Sequence, residues 1–322
     1  MDFKSLSLAL LGLALLIVLI LKLNIDISVL YSIEQPIYIL LAFLLTMLVM
    51  LLYAYRVNRL LMIVGEPKQD IKELSIIEFI SAYIYHITPI RLNIPAKAVM
   101  LIKICNVRTK NAISLTTFEF TLDTLILFLI ALMGVYVVLE KFLSNPPVLK
   151  FATLTFFVFI LIFFLIPREV FYSGQKKVSN RYIRMLIRVV SIIRGGWADL
   201  LTNKKMYYEI MPLTILIFLI GAIGIEFLFN SYGYKAPITW VIVVTYSAFF
   251  IGSITTIPSG LGVREAAMVW LYSELGVPTD TALGVALMSR ILITLIIIVG
   301  YVLFTTKLSK NTIRKYTKEW RE

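Results

Sequence analysis

The chain has 322 residues, 60% of them hydrophobic, and its mean hydropathy of +0.90 excludes a soluble globular protein in favour of a polytopic membrane protein. The formal net charge of +12 invites a nucleic-acid reading, but Lys and Arg lie mainly in short loops between apolar runs, as the positive-inside rule expects, so nucleic acid is excluded as a partner. One cysteine, Cys105, and one histidine, His86, exclude an intramolecular disulfide and argue against structural zinc; no metal and no cofactor are expected.

No polar stretch approaches the ~100 residues that a separate soluble domain typically needs, so residues 1–322 read as a single transmembrane domain. Residues 6–23 form the first apolar segment. Its core is long and no small-residue cleavage site follows, so it reads as a retained span. Residues 37–55 are the second. The loop between them carries Asp26 and Glu34 but no Lys or Arg, whereas Arg56, Arg59, Lys68 and Lys72 follow the second span; this places the N-terminus and the 56–73 loop in the cytoplasm.

Residues 74–88 are apolar but short, hold Glu78 and His86, and stop before Pro89; a second helical pattern runs from Asn93 to about Ile104 and carries Lys97 and Lys103. At roughly 1.5 Å rise per residue neither arm crosses a ~30 Å hydrocarbon core. The pair predicts a re-entrant hairpin that enters from the cytoplasm, turns near 89–95 and returns. Residues 112–139 are then a long span with Thr116, Glu119 and Asp123 on one face at helical spacing. Residues 148–166 come back to a basic cytoplasmic loop, 167–209, whose Arg181, Arg184 and Arg188 line one face of an amphipathic pattern and read as an interfacial helix or plain positive-inside charge.

The second half repeats the plan. Residues 210–229 cross, 238–257 enter again, and the break Ile257-Pro258-Ser259-Gly260-Leu261-Gly262-Val263-Arg264-Glu265-Ala266 leads into a short helix, 263–275. After a Gly276-Val277-Pro278 turn, 280–304 is a full span with Arg290 in its middle, and the basic tail, 306–322, is cytoplasmic. Counting sides, the 238–275 pair hangs from the outer face and the 74–106 pair from the inner one. The predicted fold is therefore all-α, about six full spans plus two re-entrant helical hairpins arranged as an inverted repeat, with repeat 1 at about 37–139 and repeat 2 at about 210–305. Pro89 and Pro258, Leu92 and Leu261, and Ala98 and Ala267 align between the halves, and Glu119 and Arg290 fall within a residue of equivalence. Inverted repeats with broken helices characterise transporters, whose substrates bind near the membrane midplane.

Irregular backbone at membrane depth survives only inside protein or beside a water-filled cavity, and intramembrane charge is functional by default. At the tips, helix N-termini favour an anion, Gly260 and Gly262 let backbone approach a ligand, and Pro89 and Pro258 are the candidate hinges. Arg91, Lys97, Arg264 and Arg290 form a set of cations suited to phosphate, with Glu265 either binding substrate or tying its tip to a neighbour. Glu119 and Asp123 at i,i+4 need a cation or a proton between them; Arg264 and Arg290 are the candidates, and coupling or counter-charge is the expected role. The alternative is that these charges only pin helices together.

At Pro258-Ser259-Gly260-Leu261-Gly262-Val263-Arg264-Glu265-Ala266, then Gly276-Val277-Pro278 and Ser289-Arg290, the chain resembles the transmembrane region of lysylphosphatidylglycerol synthases and their stand-alone, flippase-like relatives in bacteria and archaea. Pro89-Ile90-Arg91 and the Glu119/Asp123 pair fit the same pattern in the N-terminal half, and Ser259 stands where the family pattern has Gly, a departure that could supply a helix cap. The resemblance implies translocation of an anionic lipid, phospho- or polyprenyl-phosphate-linked, across the plasma membrane by a protein that is not itself an enzyme; no stretch matches the synthases' aminoacyltransferase domain. A membrane lipid is the expected substrate and partner, with a second copy or envelope-synthesis proteins as further partners. A membrane enzyme acting on a lipid phosphate, a non-transporting assembly partner and an ion-coupled small-solute transporter stay open as alternatives.

Overall fold

The computed structural model describes residues 33–88, 91–140, 197, 200, 202–255, 257–303 and 305, with side chains of the 109–140 helix described to residue 134. The segments predicted at 6–23 and 148–166, most of the basic loop with Arg181, Arg184 and Arg188, the tail, and the hinge candidate Pro89 lie outside the described residues. Within them the chain is helical: α1 (Ile37–Ile63), α2 (Ile71–Ile87), α3 (Asn93–Ile104), α4 (Thr109–Glu140), α5 (Met211–Ser231, entered through a π-helical turn at Met206–Ile210), α6 (Ile238–Ile254), α7 (Val263–Glu274) and α8 (Thr279–Leu303). Four of them, α1, α4, α5 and α8, are long and apolar enough to cross a membrane.

Local chemistry sets the boundaries. Asp70 caps α2 by accepting the Lys72 N–H at 2.9 Å, and α2 ends at Thr88, which is extended (φ −110°, ψ 140°) as the residue before a proline tends to be. Pro36 and Pro237 cap α1 and α6, and Pro278 sits just ahead of α8, positions where a missing N–H costs nothing. One boundary corrects the sequence reading. The second span does not stop at Tyr55 but runs to Ile63, so Arg56 and Arg59 are helical rather than loop residues. The apolar pattern of Val57, Leu60 and Leu61 carries the helix on, and all three are buried.

The helices form two quartets. In each, a long helix is followed by arms of 17 and 12 residues and then by a second long helix. Two buried clusters match this division: one holds residues of α2, α3, α4 and the C-terminal half of α1; the other holds residues of α6, α7, α8 and the C-terminal part of α5. The two first helices, α1 and α5, pack on each other and run through both clusters. The long arm of each pair packs on the last helix of the opposite quartet, α6 on α4 and α2 on α8. Exchanging α1–α4 for α5–α8 maps these contacts onto one another. The outward face of α1 carries Ile37, Leu40, Leu44, Leu48, Leu51 and Tyr55, an exposed apolar stripe at helical spacing that suits lipid rather than water.

The α2–α8 crossing is close because Gly300 has no side chain: a Cβ there falls 2.9 Å from Tyr83 Cβ and closer still to the Phe79 carbonyl. Gly300→Val therefore forces the helices apart, at a cost of about 1–3 kcal/mol by the usual penalty for overpacking. Cys105 is buried, and it is the chain's one cysteine. Thermal exposure of its thiol to a reactive dye in detergent should show a lowered midpoint for this variant.

Candidate functional site

All eight helices line a cavity of about 400 Å³ between the two quartets. A second cavity of about 400 Å³ lies between the two breaks, lined by Thr88 and Pro95 on one side and Gly252, Ser253, Thr255, Ile257 and Gly260 on the other. Tyr85, Arg91, Ile94, Phe120 and Ser259 line both and so partition them.

One end of the main cavity is an ion-pair network. Arg56, 1% exposed, grips Asp123 through two parallel hydrogen bonds, Nη1 to Oδ1 at 2.6 Å and Nη2 to Oδ2 at 2.8 Å, and its Nε donates to Glu119 Oε1 at 3.3 Å. Lys97 Nζ lies 2.8 Å from the other Glu119 oxygen and 2.5 Å from Glu78 Oε1. Glu119 thus bridges two cations. Three carboxylates, Glu78, Glu119 and Asp123, face two cations, so this end carries an excess negative charge when all are ionised. Thr116 bonds back to the Ala112 carbonyl at 2.9 Å within the same face of α4.

The other end is built by the α6–α7 break. The Pro258–Gly260 turn places Ser259 (φ 48°), Gly260 (φ 65°) and Gly262 (φ 80°) in left-handed backbone, and a Cβ on Gly260 would fall 2.7 Å from Gly252 Cα. Pro258 is buried at the head of this turn. Glu265 turns back to accept the Gly262 N–H at 2.7 Å, capping α7, while its other oxygen takes both Nε (2.9 Å) and Nη2 of Arg290. The cap that Ser259 was expected to supply comes from Glu265 instead; the Ser259 hydroxyl accepts from Arg290 Nη1 at 2.7 Å. Adjacent on α7, Arg264 points elsewhere. It is 2% exposed, lies over the Phe249 ring at 3.5 Å and reaches Ser289 Oγ at 3.4 Å, and its buried Nε has no hydrogen-bond partner. Among the described residues no carboxylate pairs with it.

Arg91, at the other break, also adopts left-handed backbone (φ 44°). Its Nη2 donates to the Ser253 carbonyl at 3.1 Å and its guanidinium lies over Phe120 (4.7 Å) and Tyr85 (5.7 Å). It too has no carboxylate partner among the described residues. His86 lines the main cavity with Nδ1 2.8 Å from the Ala82 carbonyl, an acceptor, so that nitrogen carries the proton.

The structure therefore brings Arg91, Lys97, Glu119, Asp123 and Arg264 to one cavity, sets Gly260 beside it in the second cavity, and holds Gly262, Glu265 and Arg290 behind Arg264. It corrects the expected partners of Glu119 and Asp123, which are Arg56 and Lys97 rather than Arg264 and Arg290. Two members, Arg56 and Glu78, were not singled out from the sequence. The signal for Arg56 was the apolar spacing beyond it; for Glu78 it was a carboxylate in an arm too apolar to leave one unpaired.

Removing one partner of a buried pair strands a charge, at about 3–5 kcal/mol. Arg56→Met should thus unfold at a clearly lower temperature than the parent. Arg59 pairs with Glu209 where both side chains keep about 30% exposure (28% and 31%), so Arg59→Met should change stability by less than ~1 kcal/mol. The same thiol-exposure measurement ranks the two variants.

No solved structure matches the chain. A protein described as "UPF0104 membrane protein" from Methanothermobacter thermautotrophicus is 25% identical over 119 residues, which is 37% of this chain and 35% of that relative. Residues 6–300, which include every helix of the two quartets but the last turn of α8, match the family described as the lysylphosphatidylglycerol synthase TM region. The chain belongs to that family.

Proposed function

We propose that this protein is a flippase-like transporter of an anionic lipid: the head group occupies the cavity between the quartets while the tails stay in the bilayer. The observation that carries the reading is Arg264, a fully buried guanidinium with an unpartnered Nε, no carboxylate partner among the described residues and a cavity in front of it. A buried cation without a counter-ion is costly, and an anionic ligand is the group that relieves it. Bidentate arginine contact suits a phosphate oxygen pair.

On this reading the α2–α3 and α6–α7 pairs are re-entrant hairpins entering from opposite faces, and the quartets are inverted repeats within one transmembrane domain of about six spans. The exchange of packing contacts between the quartets and the matched arm lengths support that arrangement. Arg264 and Arg91 contact the phosphate, and Gly260 and Gly262 keep the backbone low beside it. Glu265 and Arg290 hold the tip of α7 in place, and Lys97, Glu119 and Asp123 are the counter-charged end at which coupling to a proton or cation would act. Pro89 and Pro258 are the hinges. The protein is assigned to the plasma membrane with both termini cytoplasmic, and its family membership supports a lipid-related role.

The test uses vesicles of phosphatidylcholine that contain the purified protein and fluorescently labelled phosphatidic acid. Dithionite quenches only the label on the outer leaflet, so translocation appears as loss of the protected fraction. The parent protein should exchange the lipid between leaflets, and Arg264→Gln should slow exchange at least ~10-fold, the loss expected when a charge-assisted bond worth about 1.5–3 kcal/mol is removed. An Arg264→Gln protein that is folded by the thiol-exposure midpoint and exchanges lipid at the parent rate would falsify the site.

A further inference from the structure

The two arginines that pair with no carboxylate among the described residues converge on one turn of one helix. Phe249, Gly252 and Ser253 lie at i, i+3 and i+4 near the end of α6. Arg264 stacks on the first and packs its Cβ 3.0 Å from the position a Cβ would take on the second, while Arg91 donates to the carbonyl of the third. The first arginine comes from the second quartet and the second from the break of the first quartet, so this meeting depends on the docking of the two halves. Arg290, the remaining guanidinium nearby, is neutralised by Glu265. The tip end of the cavity thus holds two positive charges that nothing described in the protein balances. The far end, with its three carboxylates and two cations, carries the opposite excess and repels an anion from that side.

From this we infer that the head group bound at Arg264 and Arg91 ends in a phosphate carrying two negative charges, a phosphomonoester, in preference to the singly charged phosphodiester of an ordinary phospholipid. This rests on the reading of the cavity as a head-group site. A dianion neutralises both guanidiniums from one position; a diester leaves uncompensated either the buried Arg264 or the half-buried Arg91, and a low-dielectric charge without a partner is the costly state. The Ser253 carbonyl contact occupies one of the five N–H donors of Arg91, leaving donors for a ligand oxygen. Phosphomonoesters carry about −1.5 to −2 at pH 7 because their second pKa is near 6, so the preference has a built-in pH dependence: it is present above about pH 7 and collapses as the second proton binds below about pH 6. The charged and titratable groups facing that phosphate are Arg91, Arg264 and His86, with Tyr85 on α2 and Tyr246 on α6.

The experiment is a binding competition that needs no transport. The purified protein is equilibrated with equimolar dioleoyl phosphatidic acid and dioleoyl phosphatidylglycerol, which share tails, and the bound lipids are counted by native mass spectrometry. At about pH 8 phosphatidic acid should exceed phosphatidylglycerol by at least ~10-fold, the effect of about 1.4 kcal/mol. At about pH 5 the ratio should fall toward unity. Arg91→Gln should also bring it near unity at pH 8 while phosphatidylglycerol still binds, because the variant keeps one arginine for one charge. Equal occupancy of the two lipids by the parent at pH 8, or a ratio unchanged by Arg91→Gln, overturns the inference and leaves the transport reading standing. A hundredfold excess of inorganic phosphate separates the two sources of such a dianion. Retention of phosphatidic acid supports a lipid ligand; its complete displacement keeps the dianion site but overturns the lipid reading.

Discussion

An ion in a hydrocarbon layer has no water to turn to, so every charged side chain inside this protein must be answered by another group. That constraint shapes the first quartet around Glu119. One of its oxygens takes Arg56 from α1 and the other takes Lys97 from α3, and Lys97 in turn reaches Glu78 on α2. Four helices are thereby tied through a single carboxylate, and Asp123, the more exposed acid at 24%, completes the grip on Arg56. The arrangement leaves little freedom in how α1–α4 sit together, because sliding any one of them strands a charge. Buried ion pairs are weak contributors to net stability but strong arbiters of geometry, and here they act on geometry.

The broken helices face the same constraint in their backbone. At the ends of the α2 and α6 arms hydroxyls add a donor to carbonyls of the last turn: Thr88 to Ile84 at 2.6 Å and Thr255 to Gly252 at 2.7 Å, each beside the same residue's own N–H, and Ser253 to Phe250 at 2.7 Å. Arg91 adds a donor from across the interface. The two breaks are therefore not independent loops. One completes the hydrogen bonding of the other, which is why the second cavity forms where they meet and why the residues dividing it from the first come from both.

Much of this was legible in the sequence. The two short arms, their interruption after Thr88 and at Pro258 and the long helices around them follow from apolar run length and from Gly and Pro, and α3 spans 93–104 as the pattern indicated. What was not legible has a common cause. In a membrane protein the lipid-facing and protein-facing sides of a helix are both apolar, so the pairing of α1 with α5, or of α6 with α4, leaves no imprint on the pattern. For the same reason Arg56 read as the first positive residue of a cytoplasmic loop. Charge at the end of an apolar run signals either a membrane boundary or a buried partner; the apolar spacing that continues past Arg56 is the one cue to the second, and the acids across the cavity supply the partner. Glu119 and Asp123 demanded a cation, but sequence distance gave no means of choosing Arg56 over Arg264 or Arg290.

The two quartets pack alike but are charged in opposite senses. In the first, the short arm gives a lysine and the following long helix a glutamate, Lys97 with Glu119; in the second, the short arm gives the glutamate and the long helix the arginine, Glu265 with Arg290. The joint occurs in both quartets with its polarity reversed. The surplus then differs: acids on the first side, through Glu78 and Asp123, and arginines at the tips, through Arg264 and Arg91. A cavity with like charge at both ends would admit an anion in either orientation. On the proposed function, a cavity with surplus acids at one end and surplus arginines at the other admits it in a single orientation, phosphate toward the tips, so the placement of the charges, rather than the symmetry of the helices, would select the ligand.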